Sequence, residues 1–197
     1  MQGQKIVILK GSPRKAGNSA ILAEQVAAGA EAAGAEVESF YLHGMDIQAC
    51  DACDTCQGES EIDCTIEDDM QTLYPKLRRA DAVVYASPIY WFTISAQMKL
   101  FMDRCYGLQG DADKSEDNAL AGKRIGIVLT YGGDDPFDSG AVNAIRTFQD
   151  TFNYISSEIV GIVYGYALDA GEIRENPEVM QKAYQLGKDL ASNAAER

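Results

Sequence analysis

Strand-like apolar runs recur at 5–10, 36–42, 81–86, 124–131 and 158–166, and helix-period stripes lie between or after most of them. In Ile6-Val7-Ile8-Leu9 nothing polar interrupts the run, the pattern of a strand covered on both faces. The Ala-rich stretch from Ala20 to Ala33 predicts a helix that stops before Gly34. Leu73, Leu77 and Ala80 give a second, weaker helix. Ser95 can cap a third, in which Met98, Phe101, Met102 and Cys105 share one face. Val142, Ile145, Phe148, Phe152 and Ile155 mark a fourth. Val179, Ala183, Leu186, Leu190 and Ala194, with Pro177 near the start, mark the fifth. This β–α alternation predicts one α/β domain over 1–197, a doubly wound five-stranded parallel sheet between two helical layers. Ligands in such sheets sit beyond the carboxyl ends of the strands, which singles out the loops 11–19, 87–95 and 130–139.

The first of these loops carries the strongest chemistry. Gly11-Ser-Pro-Arg-Lys-Ala-Gly-Asn-Ser19 follows a buried strand and opens a helix, so hydroxyls, a guanidinium and free backbone N–H groups converge. Neither Gly-x-Gly-x-x-Gly nor Gly-x-x-x-x-Gly-Lys-Ser/Thr is present, and a phosphomonoester fits better than a dinucleotide or a nucleoside triphosphate. An ordinary loop with Asn18 or Ser19 as helix cap is the competing reading. The second loop, Ser87-Pro-Ile-Tyr-Trp-Phe-Thr, offers a stiff Pro turn and three aromatics suited to a flat ring, or to a core or dimer surface. The third, Thr130-Tyr-Gly-Gly-Asp, lets backbone approach closely at Gly132 and Gly133. Phosphate pocket, ring platform and open backbone edge together describe flavin mononucleotide (FMN).

Charge narrows the partners. Thirty acidic against 17 basic residues give a net charge of -13, which speaks against nucleic acid and anionic membrane surfaces. No apolar stretch approaches the roughly 20 residues of a membrane span, and no signal peptide is evident at the amino terminus. A cytoplasmic protein is expected, in which five cysteines stay reduced.

The first loop, together with Ser87-Pro-Ile-Tyr-Trp-Phe-Thr-Ile-Ser-Ala-Gln-Met-Lys99, resembles the NADPH-dependent FMN reductase family of flavodoxin-like proteins along the whole chain. The resemblance implies strand order 2-1-3-4-5, noncovalent FMN, and a homodimer or dimer of dimers with the flavin near a subunit interface. It implies that Ser12, Arg14, Gly17, Asn18 and Ser19 hold the phosphate. Pro88, Ile89, Tyr90, Trp91 and Phe92 would border the isoalloxazine, as would Tyr131, Gly132 and Gly133.

Cys50-x2-Cys53-x2-Cys56-x7-Cys64 lies in a polar loop at 48–66, and four thiols in fifteen residues suggest a metal or redox site. Its first three positions match a ferredoxin-type run, while x7 and the lack of a following Pro depart from it. Within the family this loop resembles the iron-sulfur flavoprotein branch. A [4Fe-4S] cluster bound by Cys50, Cys53, Cys56 and Cys64 leads; zinc and an empty thiol site remain open, the latter helped by the charges of Asp51, Asp54, Glu59, Glu61 and Asp63. Cys105, on an apolar helix face, reads as a core thiol.

The expected activity is an NAD(P)H-dependent FMN reductase-like oxidoreductase: hydride passes to N5 of the flavin, and the protein supplies orientation without a catalytic acid or base. His43, the only histidine, reads as a solvated loop residue. NAD(P)H or ferredoxin would donate electrons. A non-enzymatic electron carrier, a quinone reductase without a cluster, and a flavin-free regulatory or metal-binding module are the alternatives.

Overall fold

The computed structural model describes residues 3–57, 63–109 and 117–192. Strands β1 (Lys5–Lys10), β2 (Glu36–Tyr41), β3 (Ala82–Tyr90), β5 (Arg124–Tyr131) and β6 (Glu158–Tyr166) form a parallel sheet in the order β2-β1-β3-β5-β6. Counting parallel strands alone, this is the expected order 2-1-3-4-5. A short sixth strand, β4 (Thr93–Ile94), pairs antiparallel with the end of β3. The helices are α1 (Asn18–Ala32), α2 (Met70–Arg79), α3 (Ala96–Arg104), α4 (Ala141–Tyr154) and α5 (Pro177–Ala191).

Successive strand residues point to opposite faces, so each strand feeds two cores. Val7 and Leu9 join Val83, Tyr85, Ile125 and Ile127 beneath α2, α3 and α4. Ile6 and Ile8 join Val84, Ala86 and Val128 beneath α1 and α5. This two-sided burial is why β1 reads as an uninterrupted apolar run. Most helix faces are as expected, although in α4 the fully buried line runs through Ala141, Ala144, Phe148 and Phe152, with Val142 and Ile145 half-buried. The last residue of the α5 stripe, Ala194, lies outside the described residues.

The largest departure is at 87–95, where a loop with a Pro turn is expected. β3 instead continues through Ser87 and Pro88 to Tyr90. The ladder with β1 ends at Ala86, so the missing N–H of Pro88 removes no bond there. The chain turns at Trp91 and Phe92, between the pairs Ile89–Ile94 and Tyr90–Thr93. Both turn residues have positive φ, 49° and 68°, the geometry of a type I′ hairpin in which Asn-Gly is usual.

Candidate functional site

The carboxyl ends of β1, β3 and β5 and the start of α1 enclose a cleft of about 180 Å3. It is lined by Ser12, Arg14, Gly17, Asn18, Ser19, Pro88, Ile89, Tyr90, Thr130, Tyr131, Gly132, Ala167 and Leu168. Ten residues expected at the flavin site therefore meet in one place. Trp91, Phe92 and Gly133 fall outside the lining.

The floor of the cleft is made by the first turn of α1. A helix leaves its first N–H groups without intrahelical partners. In α3 Ser95 accepts from Met98 N–H, and in α5 Asn176 accepts from Val179 N–H, but the N-cap of α1 is Gly17, with no side-chain cap. Ser19, in that turn, is 1% exposed, and its Oγ has no hydrogen-bond partner. A buried hydroxyl without a partner costs about 1–3 kcal/mol, so this atom marks where an acceptor is wanted. The buried Ser12 Oγ accepts from the Arg14 N–H at 3.1 Å, which leaves its own proton to donate. A Cβ on Gly17 would stand 2.7 Å from Ser12 Oγ, so a larger residue here would push the Ser12 hydroxyl aside. Tyr41 props the loop from below, donating its phenol O–H to the Pro13 carbonyl at 2.6 Å, and the Lys15 ammonium lies 5.6 Å from the Tyr41 ring centroid. On a strongly acidic chain, exposed Arg14 and Lys15 make this loop locally cationic. An uncapped helix start, an orphaned hydroxyl and a guanidinium around one cleft fit a phosphate.

The other side is fastened to this floor. Ser95 Oγ donates to the Gly11 carbonyl at 2.7 Å, and Ser87 Oγ accepts from the Ser95 N–H at 3.0 Å. The β1 turn, the end of β3 and the start of α3 thus hold one another. Tyr131 is buried at the end of β5; burial, helped by the nearby Tyr164 and Asp135, pushes its phenol above the usual range. It remains a protonated donor at neutral pH.

At the hairpin tip Trp91 is 93% exposed and Phe92 more than half exposed. Left-handed backbone at a bulky aromatic is strained by roughly 1–2 kcal/mol. The tip is held by docking: Asn143 Nδ2 donates to the Phe92 carbonyl at 3.1 Å, and a Cβ on Gly140 would lie 2.3 Å from Phe92 Cα. Phe137 also stands out into solvent.

The cysteine loop lies elsewhere. Cys50 and Cys53 are exposed, Cys56 and Cys64 partly buried, and all are free thiols. Cys53 Sγ is 3.7 Å from Thr65 Oγ1, Cys56 Sγ accepts from Gln57 Nε2, and Cys64 Sγ accepts from the Arg104 guanidinium at 3.4 Å. Among the described residues no three Cys, His, Asp or Glu side chains gather as a metal ion requires. The expected cluster ligands are therefore not brought together here; Glu59 and Glu61, in the same loop, lie outside the described residues. The loop is anchored by a fully buried pair, Arg104 and Asp68. Arg104 also donates to the Gln48 carbonyl, and Asp68 accepts from the N–H groups of Gln48 and Met70. Burial alone would raise the Asp68 pKa, but the Arg104 hydrogen bond and these amides outweigh it and hold the carboxyl below its usual range. Cys105, expected as a core thiol on α3, lies just past the end of that helix, partly buried against the core, and burial pushes its thiol well up. His43 pairs with Gln97 at 3.1 Å, outside the cleft lining.

Ala167 and Leu168 escape the sequence reading, and Thr130, inside the third loop, is not among the residues expected to touch the flavin. Ala167 and Leu168 follow β6, whose end is not among the three loops singled out. The overlooked signal is positional: β6 also ends on the ligand side of the sheet.

The family described as NADPH-dependent FMN reductase matches residues 4–155. An iron-sulfur flavoprotein of Archaeoglobus fulgidus is 32% identical over 189 residues, covering 95% of this chain and 79% of the relative. A Bacillus subtilis protein provisionally named an NAD(P)H-dependent FMN-containing oxidoreductase is 27% identical, over 93% of this chain and 97% of its own. Among solved structures, an NAD(P)H:quinone oxidoreductase from Methanothermobacter marburgensis superposes with a TM-score of 0.71 over 97% of this chain and 98% of that one, at 17% identity.

Proposed function

The chain belongs to the NADPH-dependent FMN reductase family and is an FMN-dependent NAD(P)H oxidoreductase; on that premise we propose that the cleft at the start of α1 is its FMN site. The observation that carries this reading is the buried, partnerless Ser19 hydroxyl at the uncapped start of α1. Ser12 and Ser19 donate to the phosphate, the first amides of α1 cradle it, and Arg14 supplies the cation. The cleft is smaller than the roughly 300 Å3 of a typical small-molecule site. Its residues would hold the phosphate and polyol end, and Pro88–Tyr90 and Tyr131–Gly132 would border the ring. Bound FMN supplies a ring that takes up hydride from a nicotinamide and passes electrons on. The protein's share is orientation: Tyr131 presents a protonated phenol, and the β3–β4 hairpin fixes one border of the ring site.

Trp91, Phe92 and Phe137 are large apolar groups left in solvent. We assign them to contact with a second copy in a homodimer that closes the ring side of the cleft, since the adjoining Trp91 and Phe92 rings are an apolar pair that isolated monomers rarely leave in solvent. No helix among the described residues is long and apolar enough to cross a membrane.

The cysteine spacing and the iron-sulfur flavoprotein relatives support a second reading, with a [4Fe-4S] cluster on the 48–66 loop and ferredoxin as a further donor. The thiols as they stand do not converge, so the reading of the flavin site includes no step through a cluster. Titration of the flavin-free protein with FMN and riboflavin tests the site: FMN binds more tightly, and Arg14→Ala together with Ser12→Ala removes that preference. Equal affinity for the two ligands in the unaltered protein would end the assignment.

A further inference from the structure

We infer that Asn18 is a positioning residue that fixes the loop after β6 as a wall of the flavin cleft, rather than a ligand of the phosphate. The inference rests on the reading of the cleft as the FMN site. A carboxamide offers two donor hydrogens and one oxygen with two lone pairs. The Asn18 oxygen accepts from the Gly171 N–H at 2.8 Å and from the Ile173 N–H at 3.4 Å, while Nδ2 donates to the Asp169 carbonyl at 2.9 Å. The side chain that the sequence directs toward phosphate is thus committed to a segment about 150 residues away in the chain.

That segment is built to be held. Ala167 N–H donates to the Tyr131 carbonyl at 2.9 Å, and Ile173 is fully buried. Between them, Glu172 Oε2 accepts from the N–H groups of Leu168 and Asp169. Asn18 fastens the middle of this arch to the first residue of α1. The arch presents Leu168, 68% exposed, to the cleft. A leucine held in solvent by three separate anchors has an apolar surface to offer a ligand. Leu168 Cδ1 would lie 3.4 Å from a Cβ on Gly132, at the border assigned to the ring, so Asn18 would act on ring and polyol binding through the arch.

The two roles differ in which ligand they affect. Flavin-free protein is titrated with FMN and with riboflavin, which lacks the phosphate. Asn18→Ala is expected to weaken both by the same factor, on the order of tenfold, as the loss of one or two net hydrogen bonds gives; their affinity ratio stays as in the unaltered protein. Asn18→Asp keeps the oxygen that Gly171 and Ile173 need but sets a carboxylate oxygen against the Asp169 carbonyl, so it should recover riboflavin affinity only in part. Leu168→Gly leaves the anchors in place and should weaken both ligands alike, which keeps the inference testable if Asn18→Ala does not fold. Loss of FMN affinity alone in Asn18→Ala, no change with either ligand, or full affinity in Leu168→Gly would overturn it. Ser19→Ala serves as the reference for the underlying site: if it leaves the FMN-to-riboflavin ratio unchanged, the phosphate assignment fails whatever Asn18 does.

Discussion

Replacing Ser19 with alanine should move stability and cofactor affinity in opposite directions. In the flavin-free protein the Ser19 Oγ is buried without a partner. A polar atom in that state costs about 1–3 kcal/mol. Alanine removes the atom and leaves only a gap of one oxygen, so the flavin-free protein should gain on the order of 1 kcal/mol. For a chain of this size that is about 2–4 °C in Tm. With FMN bound the same hydroxyl donates to a phosphate oxygen, and a hydrogen bond to a charged group contributes about 1.5–3 kcal/mol. Its loss should raise the FMN Kd by about ten- to a hundredfold. Thermal melts without ligand and with FMN in large excess show the reversal directly, because a ligand at free concentration L stabilises by RT ln(1 + L/Kd): the variant melts higher alone and lower with FMN. A variant that melts lower in both conditions and binds FMN unchanged would refute the argument, since Ser19 would then be an ordinary packing residue.

Asp68→Asn leaves Arg104 buried without its counter-charge and should cost about 3–5 kcal/mol in denaturant unfolding. Because the Asp68 pKa is depressed in the fold, its contribution is present above the unfolded value near 4 and is lost as pH falls below it; the unaltered protein should lose stability there more steeply than the variant. Trp91→Asn with Phe92→Gly restores ordinary hairpin residues, so thermal melting should show about 1–2 kcal/mol of gain in the monomer, while sedimentation shows a weaker dimer. Cys53→Ser should leave FMN retention unchanged, because none of the described residues of the cysteine loop is in the cleft lining; iron and flavin analysis of the purified variant checks this, and loss of flavin would contradict it.

The central strands were readable because burial on both faces demands continuous apolar runs, as in β1 and β5, while the edge strand β6, only partly buried, still falls on the apolar run at 158–166. Most of the phosphate loop was readable for a similar reason: hydroxyls, Arg14 and a helix start follow one another within nine residues. The hairpin at 91–92 was not, since its turn uses two aromatics where the local rule wants Asn and Gly, and only docking onto Gly140 and Asn143 makes that conformation tenable. The Leu168 wall was hidden because its partner, Asn18, lies at the other end of the chain. The role of Asn18 was equally hidden, because sequence shows which groups a residue carries and not which partner takes them. In the cysteine loop, spacing supplies four thiols, but their convergence depends on backbone that spacing alone does not determine.

The most direct measurement is anaerobic mixing of the FMN-loaded protein with NADPH and, separately, NADH, following the visible absorption of the flavin in a stopped-flow instrument. A flavin that bleaches with saturable dependence on the nicotinamide, and does so poorly when Ser12 and Arg14 are both alanine, is the predicted result. A bound flavin that neither nucleotide reduces would contradict the account.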